Sequence, residues 1–92
     1  MKIFSIIETD GFLKDLENDF QGRKQRILQK LNQQVYSQLS QQPFHGKHIK
    51  KLKDYSPETW RYRIGDYRFF YEIDQNKRLV VMIAADHRSG AY

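Results

Sequence analysis

The chain contains no cysteine, which excludes disulfides, thiolate metal sites and a cysteine nucleophile. It has no apolar run approaching the roughly 18 residues of a membrane-spanning helix. Its start, Met1-Lys2-Ile3-Phe4-Ser5-Ile6-Ile7-Glu8, is too short and too soon acidic for a secretory signal. These absences set the expectation of a cytoplasmic protein that does not use a membrane. There is no glycine-rich phosphate loop, so nucleoside triphosphate use is not indicated, and no serine-triad motif. His45 and His48 are three apart but have no carboxylate or cysteine partner close by, so neither a metal nor another cofactor is expected. No repeat, low-complexity segment or long linker divides the chain. Its 92 residues read as one domain, 1–92, with a single modest core.

What is abundant is positive charge. The formal net charge is +5, and it is unevenly spread. Residues 1–44 hold 6 Lys/Arg and 5 Asp/Glu, whereas residues 45–92 hold 10 and 6. A basic surface attracts nucleic acid, anionic lipid or acidic protein, although a net charge of this size also suits an ordinary solvated surface.

The apolar pattern predicts the elements. Lys2 to Ile7 is β-rich and reads as a first strand. Thr9 or Asp10 can cap a helix running to about Phe20, with Phe12, Leu13, Leu16 and Phe20 at helical spacing. After Gly22 a second helix is expected from about Arg23 to Gln41, its stripe being Ile27, Leu28, Leu31, Val35 and Leu39, until Pro43 stops it. A short strand is expected near Ile49–Lys53. Clear strands follow at Thr59–Ile64, Tyr67–Asp74 and about Arg78–Ala85.

Gly65-Asp66 suits a two-residue type II′ turn. It sets Ile64 opposite Tyr67 and Arg63 opposite Arg68. For the next hairpin a three-residue loop is expected, with Asp74 opposite Arg78 and with Leu79, Val81 and Ile83 joining the apolar face of Trp60, Tyr62, Ile64, Tyr67, Phe69, Tyr71 and Ile73. The fold class is α+β: a two-layer β-α-α-β-β-β domain, with two N-terminal helices packed on one face of a mostly antiparallel sheet.

The other face carries Arg61, Arg63, Arg68, Phe70 and Glu72. Like charges directly opposite each other weaken a sheet, so the Arg63–Arg68 pair points to an anionic partner. Guanidinium forks match phosphate oxygens, and charge fixed on strands is preorganised for a transition state. The competing reading is a solvated face with pairs such as Arg68–Glu72. Lys47, Lys50, Lys51 and Lys53, with His45 and His48, form a basic connector suited to a phosphate backbone. The tail adds His87, which can exchange protons near neutral pH, together with Arg88 and Tyr92, a ring able to stack on a base.

Lys51-Leu52-Lys53, the run Trp60-Arg61-Tyr62-Arg63-Ile64-Gly65-Asp66-Tyr67-Arg68-Phe69-Phe70-Tyr71-Glu72-Ile73-Asp74 and the ending His87-Arg88-Ser89-Gly90-Ala91-Tyr92 resemble the RelE/ParE toxin superfamily over essentially the whole chain. The ending is more similar to the RelE branch than to the gyrase-poisoning ParE branch. The resemblance implies the toxin of a type II toxin–antitoxin pair: a metal-independent endoribonuclease that cuts mRNA in the ribosomal A site by attack of a 2′-hydroxyl on the adjacent phosphate. It also implies a cognate antitoxin, mRNA and the ribosome as partners, and operator DNA only through the antitoxin complex. By the same resemblance Arg68 matches a transition-state arginine, Arg61 and Arg63 fall where some relatives carry lysines, and Tyr92 matches a C-terminal tyrosine. His87 and Arg88 match a common ending. One relative has an arginine where Asp86 stands here. Arginine is a poor proton acceptor, which turns the choice of base to His87 or Glu72. The alternatives are a ParE-like gyrase inhibitor without nuclease activity and a non-toxic RNA-binding relative.

Overall fold

The computed structural model describes residues 3–19 and 24–87. The elements are β1 (Ser5–Glu8), α1 (Asp10–Asp19), α2 (Lys24–Lys30), a π-helical segment (Leu31–Val35), α3 (Tyr36–Gln41), β2 (Ile49–Lys51), β3 (Trp60–Ile64), β4 (Tyr67–Asp74) and β5 (Leu79–His87). The five strands form one sheet in the order β1-β5-β4-β3-β2. β1 runs parallel to β5, and the other pairs are antiparallel. The helices cover one face, so the architecture is the two-layer α+β arrangement expected.

Thr9 begins α1. Its hydroxyl accepts the Phe12 N–H at 3.2 Å, satisfying a donor that has no partner within the helix. The same hydroxyl donates to the Met82 carbonyl at 2.8 Å, which ties the start of the helix to β5. Phe12 and Leu16 are buried, whereas Leu13 is exposed. Phe20 lies outside the described residues.

The second helical run is not one regular helix as expected. Ile27, Leu31, Val35 and Leu39 are all fully buried and recur every four residues. In an α-helix that spacing drifts about 40° per step, which would carry the last residues off the sheet. The π segment absorbs the drift through a wider turn, closed by the Tyr36 N–H on the Leu31 carbonyl.

The β3–β4 hairpin has the expected register, with Ile64 opposite Tyr67 and Arg63 opposite Arg68. Gly65 takes φ +55° while Asp66 stays at negative φ, as a type II′ turn requires.

The β4–β5 hairpin corrects the expectation. Its loop has four residues, 75–78, with Asp74 opposite Leu79. The Asp74 carboxylate accepts the Lys77 N–H at 3.0 Å, and Arg78 closes the loop in the left-handed region at φ 55°. The extra loop residue shifts the face, so Val80 and Met82 point to the core instead of Leu79, Val81 and Ile83. A β-bulge then intervenes, because Tyr71 pairs with Met82 but Phe70 pairs with Ala84. Ile83 is the additional residue, and beyond it the inward position passes to Ala85.

Three tyrosines, Tyr62 and Tyr71 buried and Tyr36 half-buried, add polar ties between the layers. The Tyr62 hydroxyl donates to Gln38 at 2.9 Å, Tyr71 to the Pro43 carbonyl at 2.8 Å, and Tyr36 to Glu8 at 2.6 Å. Burial raises all three phenol pKa values, and for Tyr36 the neighbouring Glu8 raises it further. The unfolded chain ionises tyrosine near pH 10. Above that pH the unfolded state binds fewer protons than the native state, so stability falls with rising pH. Below it their contribution is complete. Urea midpoints measured from about pH 8 to 11 should therefore decline at the alkaline end, and Tyr36→Phe or Tyr71→Phe should flatten that decline.

Candidate functional site

The pairing of β2, β3, β4 and β5 decides which side chains share the uncovered face. Arg61 lies opposite Phe70 and beside Lys50. Arg63 faces Arg68, Arg68 faces Asp86, and Glu72 faces Val81. Cross-strand partners point to the same side. Lys50, Arg61, Arg63, Arg68, Phe70, Glu72 and Asp86 therefore occupy one surface, opposite the helices.

The three arginines differ in what holds them. Arg63 is exposed and donates from Nε to the Gly65 carbonyl at 3.2 Å, curling over its own turn. Arg68 grips Asp86 in a two-point fork, Nε to Oδ1 at 2.7 Å and Nη2 to Oδ2 at 2.8 Å. The partner is Asp86 rather than Glu72: one edge of the Arg68 guanidinium is occupied and its charge is matched. The side chains are 31% and 38% exposed. At that exposure the pair contributes about 1 kcal/mol or less to stability, so it orients Arg68 more than it supports the fold. Arg61 is half-buried, and its Nε is buried without a hydrogen-bond partner among the described residues. Leaving such a donor unsatisfied costs about 1–3 kcal/mol.

Asp86 reaches this face because of the bulge. Were β5 regular after Met82, Asp86 would fall on the helix side, since the inward positions would run 80, 82, 84, 86. The additional Ile83 reverses the alternation and sets Asp86 opposite Arg68. The Ala85 N–H beside the bulge is accepted by the Asp15 carboxylate of α1 at 2.9 Å. Sequence reasoning missed both Asp86 and Asp15, because neither the bulge nor a contact 70 residues apart leaves a periodic mark.

The remaining candidates divide. His87 pairs with Tyr67, and the two rings meet at 4.6 Å between centroids, tilted by 48°. It belongs to the helix-side rim, away from Arg68. The basic connector is split by the alternation of β2. Lys50 joins Arg61, but Lys51 turns to the other side, where it meets Glu58 at 3.0 Å and lies over the Trp60 ring. Lys47 and Lys53 are exposed in the flanking turns. His48 packs against Tyr62. Arg88 and Tyr92 lie outside the described residues. Among the described residues no group of three or more His, Cys, Asp or Glu is positioned to hold a metal ion, and no helix is long and apolar enough to cross a membrane.

Residues 6–92 match the family described as the ParE toxin of type II toxin–antitoxin systems, parDE. Among solved structures, the chain is similar to the toxin–antitoxin complex RelBE2 from Mycobacterium tuberculosis, with 28% identity, 92% of this chain and 98% of that chain covered, and a TM-score of 0.75. The archaeal RelE–RelB complex from Pyrococcus horikoshii OT3 shares the fold at 18% identity, covering 97% and 99% of the two chains with a TM-score of 0.67. An arginine-substituted mutant of E. coli RelE in the free state does so at 17% identity, covering 99% and 88% with a TM-score of 0.64. Comparison with curated proteins gives no match. The family match spans nearly the whole chain, and the sheet and helices repeat those of RelE structures. The chain thus belongs to the RelE/ParE superfamily and is a toxin of the type II toxin–antitoxin class.

Proposed function

We propose that this toxin is a metal-independent endoribonuclease that cleaves mRNA at the ribosomal A site. The observation that carries the reading is the gathering of Lys50, Arg61, Arg63 and Arg68 on one face of the sheet, opposite the helices. Guanidinium and ammonium groups that share one face match the oxygens of a phosphate backbone. In the reaction the 2′-oxygen bonds to phosphorus as the phosphorus–5′-oxygen bond breaks, giving a 2′,3′-cyclic phosphate and a free 5′-hydroxyl. Arg61 and Arg68 stabilise the added negative charge. Glu72, four residues along β4 from Arg68 on the same face, takes the 2′-hydroxyl proton. His87 is not assigned this role, because its ring lies on the Tyr67 side of the sheet. Tyr92 is assigned to protonate the leaving oxygen, from its match to the family ending, with Arg88 as a further phosphate contact.

The cognate antitoxin is of the RelB kind, since the Mycobacterium tuberculosis and Pyrococcus horikoshii relatives are toxin–antitoxin complexes. Inducible expression in a bacterium, followed by primer extension on a translated message, tests the reading. New ends spaced by codons are expected. A second reading, inhibition of DNA gyrase without nuclease chemistry, is favoured by the ParE family match and by the neutralisation of Arg68 by Asp86. It gives intact message with a DNA-damage response.

Asp86→Asn offers an independent check. Removing the carboxylate charge frees the Arg68 fork for a phosphate. Binding of a single-stranded RNA should tighten, and the slope of log affinity against log salt should steepen by about 0.7. An unchanged slope would mean that releasing the fork adds no phosphate contact at Arg68.

A further inference from the structure

Phe70 is the aromatic residue of β4 that the core does not use. Its neighbours Phe69 and Tyr71 are fully buried on the helix side. Phe70 points to the opposite face, is half-buried, and lies outside the apolar core and the partly buried residues packed on it. Phe4, Phe12, Phe44, Trp60 and Phe69 each meet another aromatic ring. Phe70 meets none among the described residues. Its cross-strand neighbours are Arg61 on β3 and Ala84 on β5. Alanine reaches no further than Cβ, so the ring is left uncovered on that flank. Arg61 brings a cation to the other flank, with Lys50 behind it. The ring is half-buried among charged neighbours on the face opposite the helices. It matches a ligand that has both a flat apolar surface and a negative backbone.

We infer that Phe70 is a stacking platform for one unpaired base of single-stranded RNA, with the adjoining phosphate held by Arg61 and Lys50. Sheet-borne aromatics flanked by basic residues recognise single-stranded RNA in this manner, because an unstacked base regains a π contact. The inference rests on the reading that this face takes RNA, and it adds a base contact to the phosphate contacts already assigned.

The test is fluorescence anisotropy with a short labelled single-stranded RNA and a matched strand that has abasic sites in place of bases. Three full-length proteins are compared: wild type, Phe70→Leu and Phe70→Tyr. Leucine keeps apolar bulk but removes the π face, whereas tyrosine retains it. Phe70→Leu should bind the normal strand about tenfold more weakly and the abasic strand as wild type does. Phe70→Tyr should match wild type on both strands. Wild type alone should prefer the normal strand by a similar factor, so the test stands even if the leucine variant fails to fold. Equal binding of both strands by wild type overturns the platform, as does an unaffected or strand-independent loss in Phe70→Leu. Loss of antitoxin capture by Phe70→Leu with RNA binding intact assigns the ring to a protein contact, and also overturns it. If wild type binds neither strand, the RNA reading of the whole face falls with it. If wild type binds and cleaves RNA while Phe70→Leu is unimpaired, only the ring's role is lost.

Discussion

Arg68→Ala should lower message cleavage about 10²–10³-fold and release cells from growth arrest, with the fold intact. β4 is the central strand of the five, and the Asp86 fork holds the guanidinium in one orientation. A cation aimed in advance at the developing charge has little to reorganise during the reaction. Removing it leaves Asp86, which is 38% exposed and keeps its hydration. Stability should therefore change by less than about 1 kcal/mol. Arg68→Lys restores the charge but not the planar fork, so it should recover only part of the activity. The measurement is primer extension on a translated message, paired with thermal melting of each purified variant. Full cleavage by Arg68→Ala would remove Arg68 from the mechanism.

Phe69→Ala, one position along, should act in the opposite sense: severe loss of stability from a residue that touches no substrate. Phe69 is fully buried, pairs with Tyr62 and Ala85, and meets the Phe12 ring of α1 at 6.4 Å between centroids. Truncating a buried phenylalanine costs about 3–5 kcal/mol through lost burial and the cavity left behind. A domain of this size has roughly 5–15 kcal/mol to lose. Urea unfolding followed by the fluorescence of Trp60, the one tryptophan in the chain, should show a midpoint lowered by about 2 M, taking roughly 2 kcal/mol per molar for the slope. A shift under about 0.5 M would mean that α1 does not pack on the sheet through Phe69.

The two neighbouring residues illustrate what could be read from the sequence. The alternation along β3 and β4, and the Gly65-Asp66 turn between them, fix which side each residue takes, so the common face of Arg61, Arg63 and Arg68 was legible. The short turn leaves no freedom of register. The next hairpin was less determined. Its loop takes one more residue because Asp74 caps Lys77 and Arg78 accepts a left-handed conformation, a state that sequence alone rarely assigns to arginine. The error in register carried Leu79, Val81 and Ile83 to the wrong side. The bulge was invisible for a different reason. Ile83, Ala84 and Ala85 are all apolar, so an interrupted alternation and a regular one read alike, and the partner of Arg68 stayed hidden with it. In the second helical run, the strict four-residue spacing of Ile27, Leu31, Val35 and Leu39 carried the signal for the π segment, although the pattern also resembles an ordinary amphipathic stripe. The basic connector misled because clustering in sequence was taken as clustering in space. A three-residue strand separates Lys50 from Lys51 by a full half-turn.

The Asp15 carboxylate works as a clamp acting through the thickness of the protein. From the helix side it accepts the Ala85 N–H, two residues beyond the additional Ile83. Without an acceptor there, that part-buried N–H loses its partner, and an unbroken ladder becomes the competing arrangement. In that arrangement Asp86 swings under the sheet and Arg68 loses its fork. A carboxylate on the first helix is thereby linked, through one backbone N–H, to the aim of a cation on the far surface.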